Sequence, residues 1–167
     1  MRVFPKRIDL LNVPINFPAD ANVILGQSHF IKTVEDIYEA IVNTNPGMEF
    51  GIAFNEASGP CLTRFDGNDQ ALIDCAVDNA QRIGAGHLFV VVMQKGFPIN
   101  VLSRIKAVPE VVNIFCATAT PLSVIVAQGE TGRGVLGVID GFSPRRVENE
   151  EDIAARKTFL RKIGYKR

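Results

Sequence analysis

The sequence predicts an α+β (mixed α/β) chain, with helices packed on a largely antiparallel or mixed β-sheet. It forms one domain over residues 1–167 and carries a C-terminal helix near 150–163. Three observations carry that expectation. Apolar runs rich in β-branched residues alternate with segments of helical period. Two of those runs meet a neighbouring run across a short polar turn, as hairpins do. The run at 87–93, HLFVVVM, is apolar on both faces, as a central strand covered above and below must be.

Each element follows from its own residues. Residues 8–15, broken by Pro14, and 22–25 read as edge strands with turns at Pro18 and Gly26. From Thr33 the period changes: Thr33 with Asp36 has capping-box spacing, and Val34, Ile37, Tyr38 and Ile41 form one apolar face until Asn45-Pro46-Gly47 ends it. Residues 49–54 alternate as a strand, 55–60 turn, and 61–65 return beside them. Asn68 offers an N-cap to a helix whose face is Leu72, Cys75, Ala76, Asn79 and Ile83, with Gly84 at its C-terminal cap. A short helix at 100–107 ends at Pro109, and 111–117 is a buried strand. Residues 122–127 and 135–139 are β-branched strands around a glycine-rich tip. The last helix, near 151–163, has acids first and bases last, which suits its dipole. Its basic end reads as a solvated face.

Composition excludes several classes. With 167 residues, 47% of them apolar, the chain can bury a core, and 18 basic against 18 acidic side chains argue against both disorder and polyanion coating. Cys61, Cys75 and Cys116 lie outside any C-x-x-C spacing and read as reduced, mostly buried thiols. No apolar run approaches the ~20 residues of a membrane span. The opening MRVFPKRIDLLNVPI lacks a signal-peptide core, so the cytoplasm is the expected location.

Two polar tips carry the chemistry. The first runs from Gly129 to Gly134. Its glycines permit backbone angles closed to other residues and can aim N–H groups at an anion, while Glu130, Thr131 and Arg133 supply a carboxylate, a hydroxyl and a guanidinium suited to a phosphate and its metal ion. An ordinary glycine hairpin turn is the competing reading. The second tip, Asn55-Glu56-Ala57-Ser58-Gly59-Pro60, with Arg64 and Asp69 following, could hold a ribose or a metal, or simply satisfy its own backbone. Gly132 to Gly137 match G-x-G-x-x-G, but they open a strand where a dinucleotide fold needs a helix. No phosphate loop of the G-x-x-x-x-G-K-[ST] kind occurs, the catalytic pattern of protein kinases is missing, and His29 and His87 read as packed or surface residues.

The segments FGIAFNEASGPCLTRFDGND, GAGHLFVVVMQKGFPINVLSRIKAVPEV, IFCATATPLSVIVAQ and GRGVLGVIDGFSP resemble the small archaeal and bacterial adenosine-specific kinase family over nearly the whole chain. The resemblance implies an α/β domain that binds adenosine or adenine nucleotides (AMP, ADP) as a homo-oligomer. Exposed strand edges point to association as well. It also carries over Asn55, Glu56, Ser58 and Gly59 from one family segment, and Gly132, Arg133, Gly134, Asp140 and Gly141 from the other, as candidate ligand residues. Lys95 is then placed to neutralise a phosphate, and Phe97 or Phe142 to stack on a purine.

The expected reaction is phosphoryl transfer to adenosine. Arg133 and glycine N–H groups stabilise charge, Mg²⁺ is held by Glu56, Glu130 or Asp140, and Asp140 or Asp69 takes the hydroxyl proton. Non-catalytic binding or sensing of adenine nucleotide is the alternative, and hydrolase or lyase chemistry on a phosphorylated metabolite is a third. Neither nucleic acid nor membrane is an expected partner.

Overall fold

The computed structural model describes residues 7–167. In chain order the elements are β1 (Asp9–Ile15), β2 (Asn22–Ser28), α1 (Thr33–Val42), β3 (Glu49–Asn55), β4 (Thr63–Gly67), α2 (Gln70–Ile83), β5 (Leu88–Gln94), α3 (Pro98–Lys106), β6 (Val111–Thr118), β7 (Leu122–Gln128), β8 (Arg133–Asp140) and α4 (Glu150–Lys162). The strands form two sheets, β4-β3-β5-β2-β6 and β1-β7-β8, and every strand pairing within them is antiparallel. The α+β class and the two hairpins, β3–β4 and β7–β8, are as the sequence predicts.

Alternation along the central strand builds the core. Leu88, Val90 and Val92 of β5 face one apolar cluster, shared with α2 and the three-stranded sheet. Phe89, Val91 and Met93 face the other, shared with α1 and α3. The layers are therefore α1 and α3, then the five-stranded sheet, then α2 beside the three-stranded sheet. Helix α2 lies close on β3 because residue 51 is glycine. A Cβ there would sit 2.2 Å from the backbone of Leu72 and Ile73. No helix among the described residues is long and apolar enough to cross a membrane.

Several local expectations are corrected. The N-cap of α2 is Asp69, whose carboxylate accepts from Leu72 N at 3.0 Å. Asn68 braces β3 instead, accepting from Phe50 N and donating to Met48 O. Thr33 lies inside α1 and turns its hydroxyl to Ser28, so the Thr33/Asp36 capping box does not form. Of the two segments expected at sheet edges only β1 lies at one; β2 runs between β5 and β6, and Gly26 lies within it instead of at a turn. Of the three thiols only Cys116 is buried. Cys75 is half-buried and Cys61 exposed.

Candidate functional site

Both polar tips open onto one end of the molecule, where α2 stops. Gly84 takes the left-handed cap conformation, φ 66°, and its N–H returns to Ala80 O. Two residues predicted for ligand contact complete that cap. Asn55 Nδ2 donates to Ala80 O at 2.8 Å and Ala85 O at 3.0 Å, while its Oδ1 accepts from Thr63 Oγ1 at 2.8 Å. Arg133 Nη1 donates to Arg82 O at 2.9 Å and Ile83 O at 3.2 Å, and its Nε donates to Gln128 Oε1 at 2.6 Å. A guanidinium at the negative end of a helix dipole is favourably placed. Arg133 is therefore first a clamp between the β7–β8 tip and α2, and among the described residues only its Nη2 donates no hydrogen bond.

The space enclosed is a cleft of about 740 Å³, within the usual range for small-molecule sites. Its walls are Asn55, Glu56, Ala57, Cys61 and Thr63 on one side and Gly129, Thr131, Gly132, Arg133 and Gly134 on the other, with Gln81, Gly84, Ala85 and Gly86 between. Gly86 lets the 56–62 loop settle on this floor, since a Cβ there would meet Ala57 Cβ at 2.8 Å. The Glu56 carboxylate accepts from Leu62 N at 2.8 Å and from Arg64 Nε and Nη2, each at 2.8 Å. The Leu62 N–H first, and the Arg64 guanidinium after it, hold this carboxyl below the ordinary range, so it is ionised at neutral pH.

The glycine tip corrects one expectation. Gly129, Gly132, Gly134 and Gly137 do not use positive φ, and a Cβ on Gly132, Gly134 or Gly137 would meet nothing within 4 Å. Their backbone lies open to an outside molecule instead.

The remaining predicted residues divide. Ser58 and Gly59 lie on the 56–62 loop but do not line the cleft, and neither does Glu130 on the tip. Asp140 ends β8 on the far side, and Gly141 and Phe142 follow it. Seven residue steps along the strand separate Asp140 from Arg133, roughly 23 Å at strand rise. There Asp140 accepts from Thr120 Oγ1 at 2.7 Å, and Phe142 is exposed. Lys95 and Phe97 lie past the far end of β5, with Lys95 ion-paired to Glu49. Asp69 is committed to capping the opposite end of α2. One chain thus cannot bring Lys95, Phe97, Phe142 or Asp140 to the cleft that holds Arg133, and Asp69 is no base there.

The carboxylates expected to hold Mg²⁺, Glu56, Glu130 and Asp140, are not gathered. Among the described residues no group of three or more His, Cys, Asp or Glu side chains is arranged to hold a metal. The donor set does not fit a protein-held ion within one chain.

Sequence reasoning missed Cys61, Thr63, Gln81, Ala85 and Gly86 as cleft residues. The glycine pair in Gly84-Ala85-Gly86 is the signal the sequence offers for them, beyond the helix end that Gly84 marks. His87, next in line, has φ 60° and stacks on Phe54 with ring centroids 6.1 Å apart.

Comparison with known proteins adds two findings. A family model described as adenosine specific kinase matches residues 13–166. The crystal structure of PH1918 protein from Pyrococcus horikoshii OT3 is similar at TM-score 0.93 and 44% identity, over 96% of this chain and 99% of that one. No curated protein matches the chain.

Proposed function

The chain belongs to the adenosine-specific kinase family, and from that premise we propose that the cleft at the end of α2 binds adenosine and that phosphoryl transfer to adenosine is its reaction. The observation that supports this most is the convergence of the Asn55–Thr63 wall and the Gly129–Gly134 wall on one cleft of nucleoside size. Gln81 offers an amide that can both donate to and accept from a purine edge, and the Thr63 and Thr131 hydroxyls are suited to ribose. The open backbone of Gly132 and Gly134 lets a ligand approach without meeting a side chain.

In the transfer itself, a ribose hydroxyl oxygen bonds to phosphorus, the bond to the donor's leaving oxygen breaks, and the hydroxyl proton passes to the Glu56 carboxylate. Glu56 is the ionised carboxylate on the cleft wall and a weak base, which is adequate because the loose transition state asks little of one. The guanidinium of Arg133, whose Nη2 donates to none of the described residues, is the positive group for the transferring phosphoryl. No step is assigned to a resident metal. Three free thiols suit a reducing compartment, and the cytoplasm is the location we assign.

The ungathered carboxylates favour a second reading, in which the same cleft binds adenosine, AMP or ADP without transferring phosphate. Incubation with adenosine and a panel of phosphoryl donors, with and without Mg²⁺, followed by chromatography for AMP, separates the two. The kinase reading expects AMP above the level given by Glu56→Gln. Calorimetric binding of adenosine with no product from any donor establishes the binding reading. Absence of adenosine binding defeats both.

A further inference from the structure

The C-terminal arm is not buried against the described residues of its own chain. From Phe142 to the end no residue is buried, and α4 presents no buried side chain at all. Its ion pairs, Arg146 with Asp152 and Arg156 with Glu148, stay within the arm. An isolated 13-residue helix is marginal in water, so a partner is needed to hold it. On α4 and its C-cap the apolar residues Ile153, Phe159, Leu160 and Ile163 fall within an arc of about 120°, with Lys157, Arg161 and Lys162 flanking it.

A matching surface exists on the body. The inner face of the three-stranded sheet packs Val13, Ile15, Val124 and Val126 into the core, so alternation turns Leu10, Ile125 and Ile139 outward, and the register shift between Val135 and Gly137 leaves Leu136 exposed as the extra residue of a bulge. Leu10 is 67% and Leu136 63% exposed. Charge complements shape here. Residues 145–167 carry eight basic and four acidic side chains, whereas residues 1–144 carry ten basic and fourteen acidic. Two of those acids, Asp74 and Asp78, are exposed on α2, which is tied to the end of β1 by the Asn16–Asn79 hydrogen bonds and so flanks the apolar face.

We propose that α4 of one chain docks on the outer face of the three-stranded sheet of a second copy, its apolar arc on Leu10, Ile125 and Leu136 and its basic flank toward Asp74 and Asp78. Burying the exposed apolar groups drives the contact, and the opposite net charges of arm and body orient it. The inference stands apart from the adenosine reading, because none of these residues lines the cleft.

Sedimentation velocity on the full chain tests it. Wild-type protein should associate at micromolar concentration, and Leu160→Asp with Ile163→Asp should weaken association by at least about tenfold. Leu10→Asp with Leu136→Asp should do the same, with circular dichroism checking that the variant folds. The exposed charges supply a route that leaves the apolar face intact: Lys157→Glu with Arg161→Glu should weaken association, and adding Asp74→Lys with Asp78→Lys should restore it. A wild-type chain that stays monomeric at ~100 µM overturns the proposal. So does loss of association by the arm variant with no response from the sheet or α2 variants, which would pair the arms with each other. A monomer whose arm retains a DNA duplex would give the basic flank a different partner and also overturn it.

Discussion

Arg133 shows how far a side chain's role can depart from its neighbours in sequence. Its guanidinium bridges Gln128 and the carbonyls of Arg82 and Ile83, some fifty residues away, so no local pattern could reveal the contact. What was legible was a charged residue on a glycine tip, and hence a candidate site. What was not legible was that the charge caps a helix. Arg133→Ala should therefore lower unfolding free energy by about 1–3 kcal/mol, the scale of charged hydrogen bonds lost at partly buried carbonyls. Lysine should recover only part of it, because one ammonium does not reproduce the planar fork. Urea titration of the three proteins measures this, and an unchanged midpoint for Arg133→Ala would remove the clamp from the account. Thiol chemistry gives a second expectation at this scale. Cys116, pushed up to about 12 by burial and by the Asp140 charge, should resist alkylation at pH 8 until the chain unfolds. Cys61, exposed on the cleft wall, should react readily. Mass spectrometry of alkylated peptides should show that adenosine slows Cys61 alone. Equal rates with and without adenosine would place the nucleoside elsewhere.

Helix α2 was the most legible element because its signals are local: an apolar face, an Asp69 cap one residue from the Asn68 expected, and Gly84 at the end. Its far end nevertheless depends on non-local partners. Gly84→Ala should cost about 1 kcal/mol, since the new Cβ must sit at φ 66° and within 3.3 Å of the Arg133 side chain. Asn55→Ala should cost more, about 2–3 kcal/mol, because the buried amide leaves Ala85 O without its donor and Thr63 without its acceptor. Chemical denaturation ranks the two, and a reversed order would mean that backbone strain, not amide pairing, governs this cap. The 56–62 loop adds a pH dependence. The Glu56 carboxyl is lowered in the folded chain, so its contribution is fully present above the ordinary value of 4.5 and is lost as pH falls through the lowered folded value. The melting temperature of Glu56→Gln should therefore lie below wild type at pH 7, and the gap should close as pH falls below 4.5 and through the lowered folded value. A gap that persists in acid would assign the effect to packing instead of charge.

At the scale of the molecule, the sequence showed strands and helices but not their division into two sheets. That division rests on β1 joining β7 across more than a hundred residues, a pairing that alternation alone cannot specify. The same topology sends the two halves of the predicted site to opposite ends, because β8 starts at the cleft with Arg133 and finishes away from it with Asp140. It also leaves the arm beyond β8 with no buried residue among those described, and this sets an expectation for hydrogen exchange. Amides of β5, whose residues from Leu88 to Met93 are all buried, should exchange only when the whole chain unfolds. Amides of α4, which buries no side chain among the described residues, should exchange early in dilute solution. If α4 docks on a second copy, raising the protein concentration should protect α4 while leaving β5 unchanged, and the outer residues of β1 and β8 should gain protection over the same concentration range. Protection of α4 that is complete at every dilution would mean that the helix finds its cover within one chain.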